Sequence, residues 1–328
     1  MNKVAIITGV AGQDGSYLAE FLLEKNYKVV GVTRRKSVNK GLENLTKPLE
    51  HENFELVYGD ITDSSLISKL LMKWQPQEYY NLAAMSHVGQ SFKEPISTFR
   101  VDGEAVIMQL DLIKQLSPDT RFYQASTSEL FGGVNCPPEG LNETSRFHPR
   151  SPYAIAKAAA FYAVVNYREA YGMHASNGIL FNHSSPRRGT DFATRKITRG
   201  IAEVVLGLDD RLRMGNLEAF RDEGHAKDYV EAQWMMLQQP IADDYVIATG
   251  EATTIKDMFK YVCEELGGLD FEQVYKEDQR FMRPSEVNFL RGDASKAERV
   301  LGWKPKYSCK ELLKEMYEND LKDIAHGK

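Results

Sequence analysis

Only three cysteines, Cys136, Cys263 and Cys309, occur in 328 residues. They are far apart, odd in number and without metal-ligand spacing, which excludes a disulfide framework and a zinc ribbon. No apolar stretch is long enough to cross a membrane. The longest, around 158–165, falls well short of the roughly 20 residues that a spanning helix needs. The opening Met1-Asn2-Lys3-Val4-Ala5-Ile6-Ile7-Thr8 is broken by Gly9 before it reaches the length of a signal-peptide core, so cytoplasm is the default expectation. A surplus of positive charge is missing as well. Lys and Arg number 41 against 46 Asp and Glu, net −5, and no long basic stripe occurs, which argues against a nucleic-acid binder. No internal repeat or low-complexity segment interrupts the chain.

What is present is an alternation of short β-rich runs with helical patterns. Val4-Thr8, Val29-Thr33, Phe54-Tyr58, Glu78-Ala83, Arg121-Ser126 and Ala175-Phe181 read as strands. Between them Ser16-Lys25, Ser64-Lys73, Thr98-Leu116 and Pro152-Tyr171 carry apolar residues at helical spacing. Such alternation predicts an α/β fold with a doubly wound parallel sheet of the Rossmann type, and a smaller mixed α/β lobe for substrate. Residues 1–185 form the expected dinucleotide-binding domain. After them the helix Ala226-Gln238 and the apolar run Asp244-Thr249 make 225–250 a candidate to return to it, which leaves 186–224 and 251–328 for the second lobe.

The first strand runs into three glycines, Gly9, Gly12 and Gly15, spaced by three and interleaved with Gln13 and Asp14. Glycine at these points lets a pyrophosphate reach backbone N–H groups at a helix N-terminus. The second strand ends in Arg34-Arg35-Lys36, where an enzyme that binds a free ribose 2′-hydroxyl would offer a carboxylate; cations there favour a 2′-phosphate, hence NADP. Asp60 and Ile61 after the third strand are placed for the adenine. Leu82, Ala83 and Ser86 after the fourth are placed beside the cofactor ribose and the sugar. Tyr153 and Lys157, four apart at the start of a long helix, share one face, and an ammonium beside a phenol lowers its pKa. With a hydroxyl at the end of the fifth strand, they compose a hydride-transfer site.

On these residues the chain resembles the extended short-chain dehydrogenase/reductase superfamily, and within it the GDP-mannose 4,6-dehydratases. The resemblance rests on Thr8-Gly9-x-x-Gly-Gln-Asp-Gly-Ser-Tyr-Leu, Phe122-Tyr-Gln-Ala-Ser-Thr-Ser-Glu129, Pro149-Arg-Ser-Pro-Tyr153, Asn177-Gly-Ile-Leu-Phe-Asn-His183, Ser185-Pro-Arg-Arg-Gly189, Thr194-Arg-Lys-Ile197, Gly224-His-Ala-Lys-Asp-Tyr-Val230 and Arg283-Pro-Ser-Glu-Val287. It implies Thr127, Glu129, Tyr153 and Lys157 as the catalytic set, and His183 and Arg188 as cofactor contacts. It implies Asn182, Lys196, Arg221, Arg283 and Glu286 as the grip on a GDP-sugar, and Arg35 as a residue that reaches a neighbouring subunit's cofactor in a homo-oligomer, expected to be a tetramer. Glu129 separates a dehydratase, which must remove the C5 proton, from an epimerase or reductase, which need not. GDP-mannose is the expected substrate, a GDP-heptose the alternative, and a non-catalytic NADP-binding scaffold the bland one.

The family pattern is broken at four places. Met85 stands for a glutamine, Ser184 for a glutamate, Glu223 for a tryptophan and Phe131 for a tyrosine. His87 and His225 read as structural hydrogen-bonders, and Arg187 as a solvated loop cation.

Overall fold

The computed structural model describes residues 2–35, 41–134, 136–282 and 284–327. Strands β1 (Val4–Thr8), β2 (Lys28–Thr33), β3 (Phe54–Tyr58), β4 (Glu78–Asn81), β5 (Arg121–Ala125) and β6 (Ala175–Leu180) fall where the β-rich runs predict them. Helices α1 (Gln13–Glu24), α2 (Ser64–Trp74), α3 (Ala105–Leu116) and α4 (Pro152–Tyr171) are the crossovers. β6 is followed at once by the short β7 (Asn182–Ser184), then by α5 (Ala193–Val205), β8 (Leu212–Met214), β9 (Phe220–Arg221) and β10 (Glu223–His225). Next come α6 (Ala226–Gln238), β11 (Tyr245–Ile247), β12 (Thr253–Thr254), β13 (Tyr275–Glu277) and the C-terminal helix α7 (Cys309–Ala325).

The main sheet has seven strands in the order β11-β6-β5-β4-β1-β2-β3, every neighbouring pair parallel. Order reverses between β1 and β4, and a reversal of this kind opens a crevice at the carboxyl ends of the strands. Both faces of the sheet are covered. Leu18, Leu22, Tyr229 and Met236 pack one side, and Leu70, Val106, Leu110 and Val164 the other. That double burial explains why the strands read as near-continuous apolar runs.

A separate small core forms from Ile197, Ile201, Leu212, Met258, Phe259, Phe271, Leu313 and Tyr317. Its strands are only paired: β9 with β12, and β8 with β13. The chain does not stay in it. β11 pairs with β6 in the main sheet, and Ala297 and Trp303 return to the main core, where the Trp303 indole N–H donates to the Asp228 carbonyl at 2.8 Å. α7 then goes back to close the small core. No helix among the described residues is long and apolar enough to cross a membrane.

Candidate active site

The turn between β1 and α1 is shaped by backbone crowding. Gly9 has φ +70°, and a Cβ there would lie 2.8 Å from the Ala83 nitrogen; at Gly15 it would lie 2.4 Å from the Gly9 carbonyl oxygen and 2.6 Å from the Val10 Cα. No side chain caps α1, so its first amides open toward the crevice. Thr8 locks the two halves of the sheet together. Its hydroxyl donates to the Asn81 side chain at 2.8 Å and accepts from the amides of Leu82 and Ala83, while the Asn81 amide donates to Gln124 at 2.8 Å.

Around this turn lies one cleft of about 570 Å³. It brings together every residue assigned from the sequence to cofactor or catalysis: Gly9, Gly12, Gln13, Asp14, Gly15, Arg34, Arg35, Asp60, Ile61, Leu82, Ala83, Ser86, Thr127, Glu129, Tyr153, Lys157, His183 and Arg188, with Asn182 of the sugar set. Three other sugar-site candidates, Lys196, Arg221 and Glu286, do not line it. Arg283 lies outside the described residues, as does Lys36 of the cationic run. Lys196 rests on the Phe281 ring, its ammonium 3.0 Å from the centroid, and burial lowers its pKa to about 8. Arg221 is buried and donates to the Phe220 carbonyl at 2.8 Å. Lys196 stands on α5, Arg221 on the two-residue β9 and Glu286 in the loop after β13, and their placement depends on tertiary packing that no local pattern announces.

Thr127, Glu129, Tyr153 and Lys157 are all buried. The Thr127 hydroxyl accepts from the Glu129 amide at 3.2 Å and bonds the Tyr153 phenol. Lys157 donates to the Ala125 carbonyl at 2.9 Å, and its ammonium lies 5.8 Å from the Tyr153 ring centre. The expectation that Lys157 lowers the Tyr153 pKa does not hold for the protein alone. Burial pushes the phenol up, the negative charges of Asp102 and Glu129 push it further, and the Thr127 hydrogen bond and Arg188 only partly offset them. Burial also lowers the Lys157 pKa, against the pull of Asp102. The phenol is held neutral until something positive enters the cleft, while burial brings the Lys157 ammonium closer to losing its proton.

Asp14 and His183 form a buried pair. The ring nitrogens of His183 face the Phe181 carbonyl at 2.8 Å and the Asp14 carboxylate at 2.9 Å, and Gln233 donates to the same carboxylate oxygen at 3.1 Å. Two acceptors on one imidazole favour the doubly protonated ring. Burial opposes that charge, but Asp14 outweighs it and raises the His183 pKa; burial likewise raises Asp14, and His183 outweighs it to leave the carboxyl at about 2. The imidazole is therefore committed to Asp14, although it borders the cleft.

Two sequence departures turn out to be one structural feature. β7 and β10 pair in parallel, so Ser184 and Glu223 are brought side by side from 39 residues apart. The Ser184 hydroxyl donates to the Glu223 carboxylate and bonds Thr194 at 2.7 Å. A carboxylate absent from one strand is supplied by its neighbour, and its charge opposes the burial of Arg188. Arg188 stacks 3.8 Å over the Phe192 ring and its Nε lacks a partner among the described residues. Ser126 is a cleft residue that the assignment missed; its buried hydroxyl is likewise unpartnered. Its signal was its place at the end of the fifth strand, within the motif Phe122-Tyr-Gln-Ala-Ser-Thr-Ser-Glu129.

His87 accepts from the Gln90 amide at 3.0 Å and His225 from the Lys227 amide at 3.1 Å, each capping a helix, as read. Arg187 is not a loose cation. It bonds Glu20 at 2.7 Å and Ser16 at 3.0 Å and lies 3.9 Å over the Tyr17 ring, clasping the loop to α1.

Residues 6–316 match the family model described as GDP-mannose 4,6 dehydratase. The chain belongs to the GDP-mannose 4,6-dehydratase family. It is 48% identical to the GDP-mannose 4,6-dehydratase of Vibrio cholerae, over 98% of this chain and 95% of that one. Against GDP-mannose 4,6 dehydratase 1 of Arabidopsis thaliana it is 47% identical, over 97% and 90% of the two chains. Among solved structures, a UDP-glucose 4-epimerase of Thermotoga maritima with UDP-glucose superposes with a TM-score of 0.86 at 26% identity, covering 98% of this chain and 99% of that one. A dTDP-glucose 4,6-dehydratase of Bacillus anthracis gives 0.85 at 21% identity, over 98% of each chain, and so shares the fold. For this family member the likeness extends through both cores.

Proposed function

We propose that the protein is a hydro-lyase that dehydrates a GDP-sugar, GDP-mannose above all, to the 4-keto-6-deoxy sugar with NADP as resident cofactor. The observation that carries the reading is the convergence of Thr127, Glu129, Tyr153 and Lys157 on the glycine turn within one cleft. A nicotinamide dinucleotide fits that cleft. Side chains at Gly9 and Gly15 would collide with backbone, leaving a cradle for phosphates, and the orphaned Ser126 hydroxyl and Arg188 Nε are donors for a bound group. Arg34 and Arg35 border the adenosine end, with Arg35 near the Tyr58 ring, which supports a 2′-phosphate and hence NADP over NAD. The cofactor supplies hydride acceptance from C4 and hydride return at C6.

The chain's own groups move the protons. Tyr153 takes the proton of the C4 hydroxyl, assisted by Thr127, and Lys157 holds the ribose. Glu129 takes the C5 proton that the new ketone acidifies, and the C6 hydroxyl leaves as water. Lys196, Arg221 and Glu286 grip the diphosphate and guanine from the smaller lobe, with Arg283 as a further cation assigned from the sequence, since a diphosphate calls for cations and guanine for a carboxylate. Self-association into a tetramer is part of the same reading, supported by the exposed apolar side chains Ile96, Phe99, Ile107, Ile155 and Tyr162 on the packed helices around α3 and α4.

The test is to incubate the purified protein with GDP-mannose carrying deuterium at C4, and in parallel with a GDP-heptose. Loss of water by mass and label at C6 by NMR are expected with GDP-mannose. Free reduced cofactor in stoichiometric amount would mark a simple dehydrogenase, and turnover of the heptose alone would move the substrate assignment.

A further inference from the structure

The helix that opens α3 is not regular. Pro95–Phe99 runs into a single π-turn, Arg100–Glu104, before α3 begins. Such a wide turn is rare and concentrates at functional positions, because the extra residue re-aims a side chain. Here the side chain is Asp102. It is 1% exposed, its Oδ1 accepts from the Met85 amide at 2.8 Å, and its Oδ2 has no partner among the described residues. The next residue, Gly103, lets the turn press close to α4: a Cβ there would lie 3.3 Å from the Ala156 carbonyl oxygen. The carboxylate is therefore set against the turn of α4 that carries Tyr153 and Lys157.

A buried carboxylate with one bare oxygen costs stability unless a positive charge answers it. Lys157 answers it through space, without a direct ion pair: burial raises the Asp102 pKa and the Lys157 ammonium pulls it back, and the effect on Lys157 is the mirror image. From α4 Lys157 acts on Asp102, and Asp102 in turn acts on the Tyr153 phenol; from the segment after β4 the Met85 amide acts on Asp102. Glu129 and Arg188 act on Tyr153 from the far side of the cleft. The same segment after β4 carries Ala83 and Ser86 into the cleft.

We propose that Asp102 is a positioning residue for the tyrosine–lysine pair, delivered by the π-turn: one oxygen fixes the segment holding Ala83 and Ser86, and the charge of the carboxylate, set against α4, keeps Lys157 an ammonium in the buried wall of the cleft. The kinetic consequences rest on the dehydratase reading; the consequences for folding do not. A mere brace would use the first oxygen only, and Asn would replace it without loss.

The full-length protein is tested as Asp102→Asn, Lys157→Met and the double variant, with stability from urea unfolding at neutral pH. Each single change is expected to destabilise, and the double variant to be no less stable than Lys157→Met, because the second substitution removes a carboxylate that the first stranded. Additive losses would overturn the proposal. NADPH binding, followed by fluorescence across pH, supplies a readout beside turnover. In Asp102→Asn the alkaline loss of affinity is expected about one pH unit lower, a tenfold change in the Lys157 protonation equilibrium, and Asp102→Asn/Lys157→Arg, with its permanent charge, regains affinity there. Uniform weakening at every pH would again overturn it. With GDP-mannose, kcat of Asp102→Asn should fall about tenfold while KM stays within about twofold. If the unmodified protein fails to dehydrate GDP-mannose, the dehydratase reading falls and the unfolding cycle still decides on Asp102.

Discussion

The cleft proposed for the cofactor and the side chains proposed for the sugar nucleotide are built by different means. The first is backbone: strand ends, a glycine turn, and the Thr8, Asn81 and Gln124 ladder that ties adjacent strands. The second is side chain: Lys196 on α5, Arg221 on β9 and Glu286 in the loop after β13 stand apart from the strand ends of the main sheet, and none of them lines the cleft that holds the catalytic candidates. Geometry set by a sheet tolerates little change, whereas geometry set by long side chains can be retuned one residue at a time. On the proposed function, the chemical steps belong to the stiff half and sugar selection to the adjustable one.

The comparison breaks most visibly at the chemistry. Tyr153→Phe should lower kcat on the order of 10²- to 10⁴-fold, and Glu129→Gln should abolish exchange of the C5 hydrogen with deuterated water while cofactor and GDP-mannose still bind. C5 exchange at the normal rate in the Gln variant would transfer the base role elsewhere. Next in size is cofactor choice. Arg34→Ala should weaken NADP by about 1.5–3 kcal/mol and leave NAD nearly unchanged, as read by titration calorimetry; equal affinities in the unmodified protein would remove Arg34 from the argument.

On the sugar side the expected effects are smaller. The Lys196 pKa near 8 means that its positive charge is present below that pH and lost as pH rises through it, so kcat/KM for the GDP-sugar should fall across that range. Lys196→Arg should flatten the fall, and an unchanged pH profile would show that Lys196 does not meet the diphosphate. The least effect is on stability. Ser184→Ala removes the donor to the buried Glu223 carboxylate and should cost about 1–2 kcal/mol, seen as a Tm lower by a few degrees, with kcat retained. Ser184→Ala/Glu223→Gln should recover part of that loss, since an amide left without the donor is less costly than a carboxylate.

Legibility followed the same division. The strands from β1 to β6, their crossovers and the glycine turn were readable because each is a local pattern: apolar runs, helical spacing, glycines where a strand ends. Tyr153 and Lys157 were readable because a spacing of four puts two residues on one helix face. The partnership of Ser184 with Glu223 was not, because it arises only when β7 and β10 pair, and the sequence presents it as two unrelated departures. Nor was the π-turn. Thr98-Leu116 reads as one helix, and the extra residue that re-aims Asp102 fits an apolar pattern loose enough to hide it. The position of Lys196 and Arg221 outside the main cleft was likewise invisible, since it depends on how two cores face each other.

The route of the chain between those cores has a mechanical meaning. It leaves the main sheet after β6, returns at α6 and β11, leaves again before β12, comes back at Trp303 and departs once more into α7. A two-part protein joined by a single linker can swivel freely, and one cut frees its parts. Here several covalent strands cross the same boundary, so relative motion is confined to a shallow bend about the line on which they lie. A protease that nicks any one crossing should leave two fragments still travelling as one particle, and neither lobe can be expressed as a contiguous stretch of sequence.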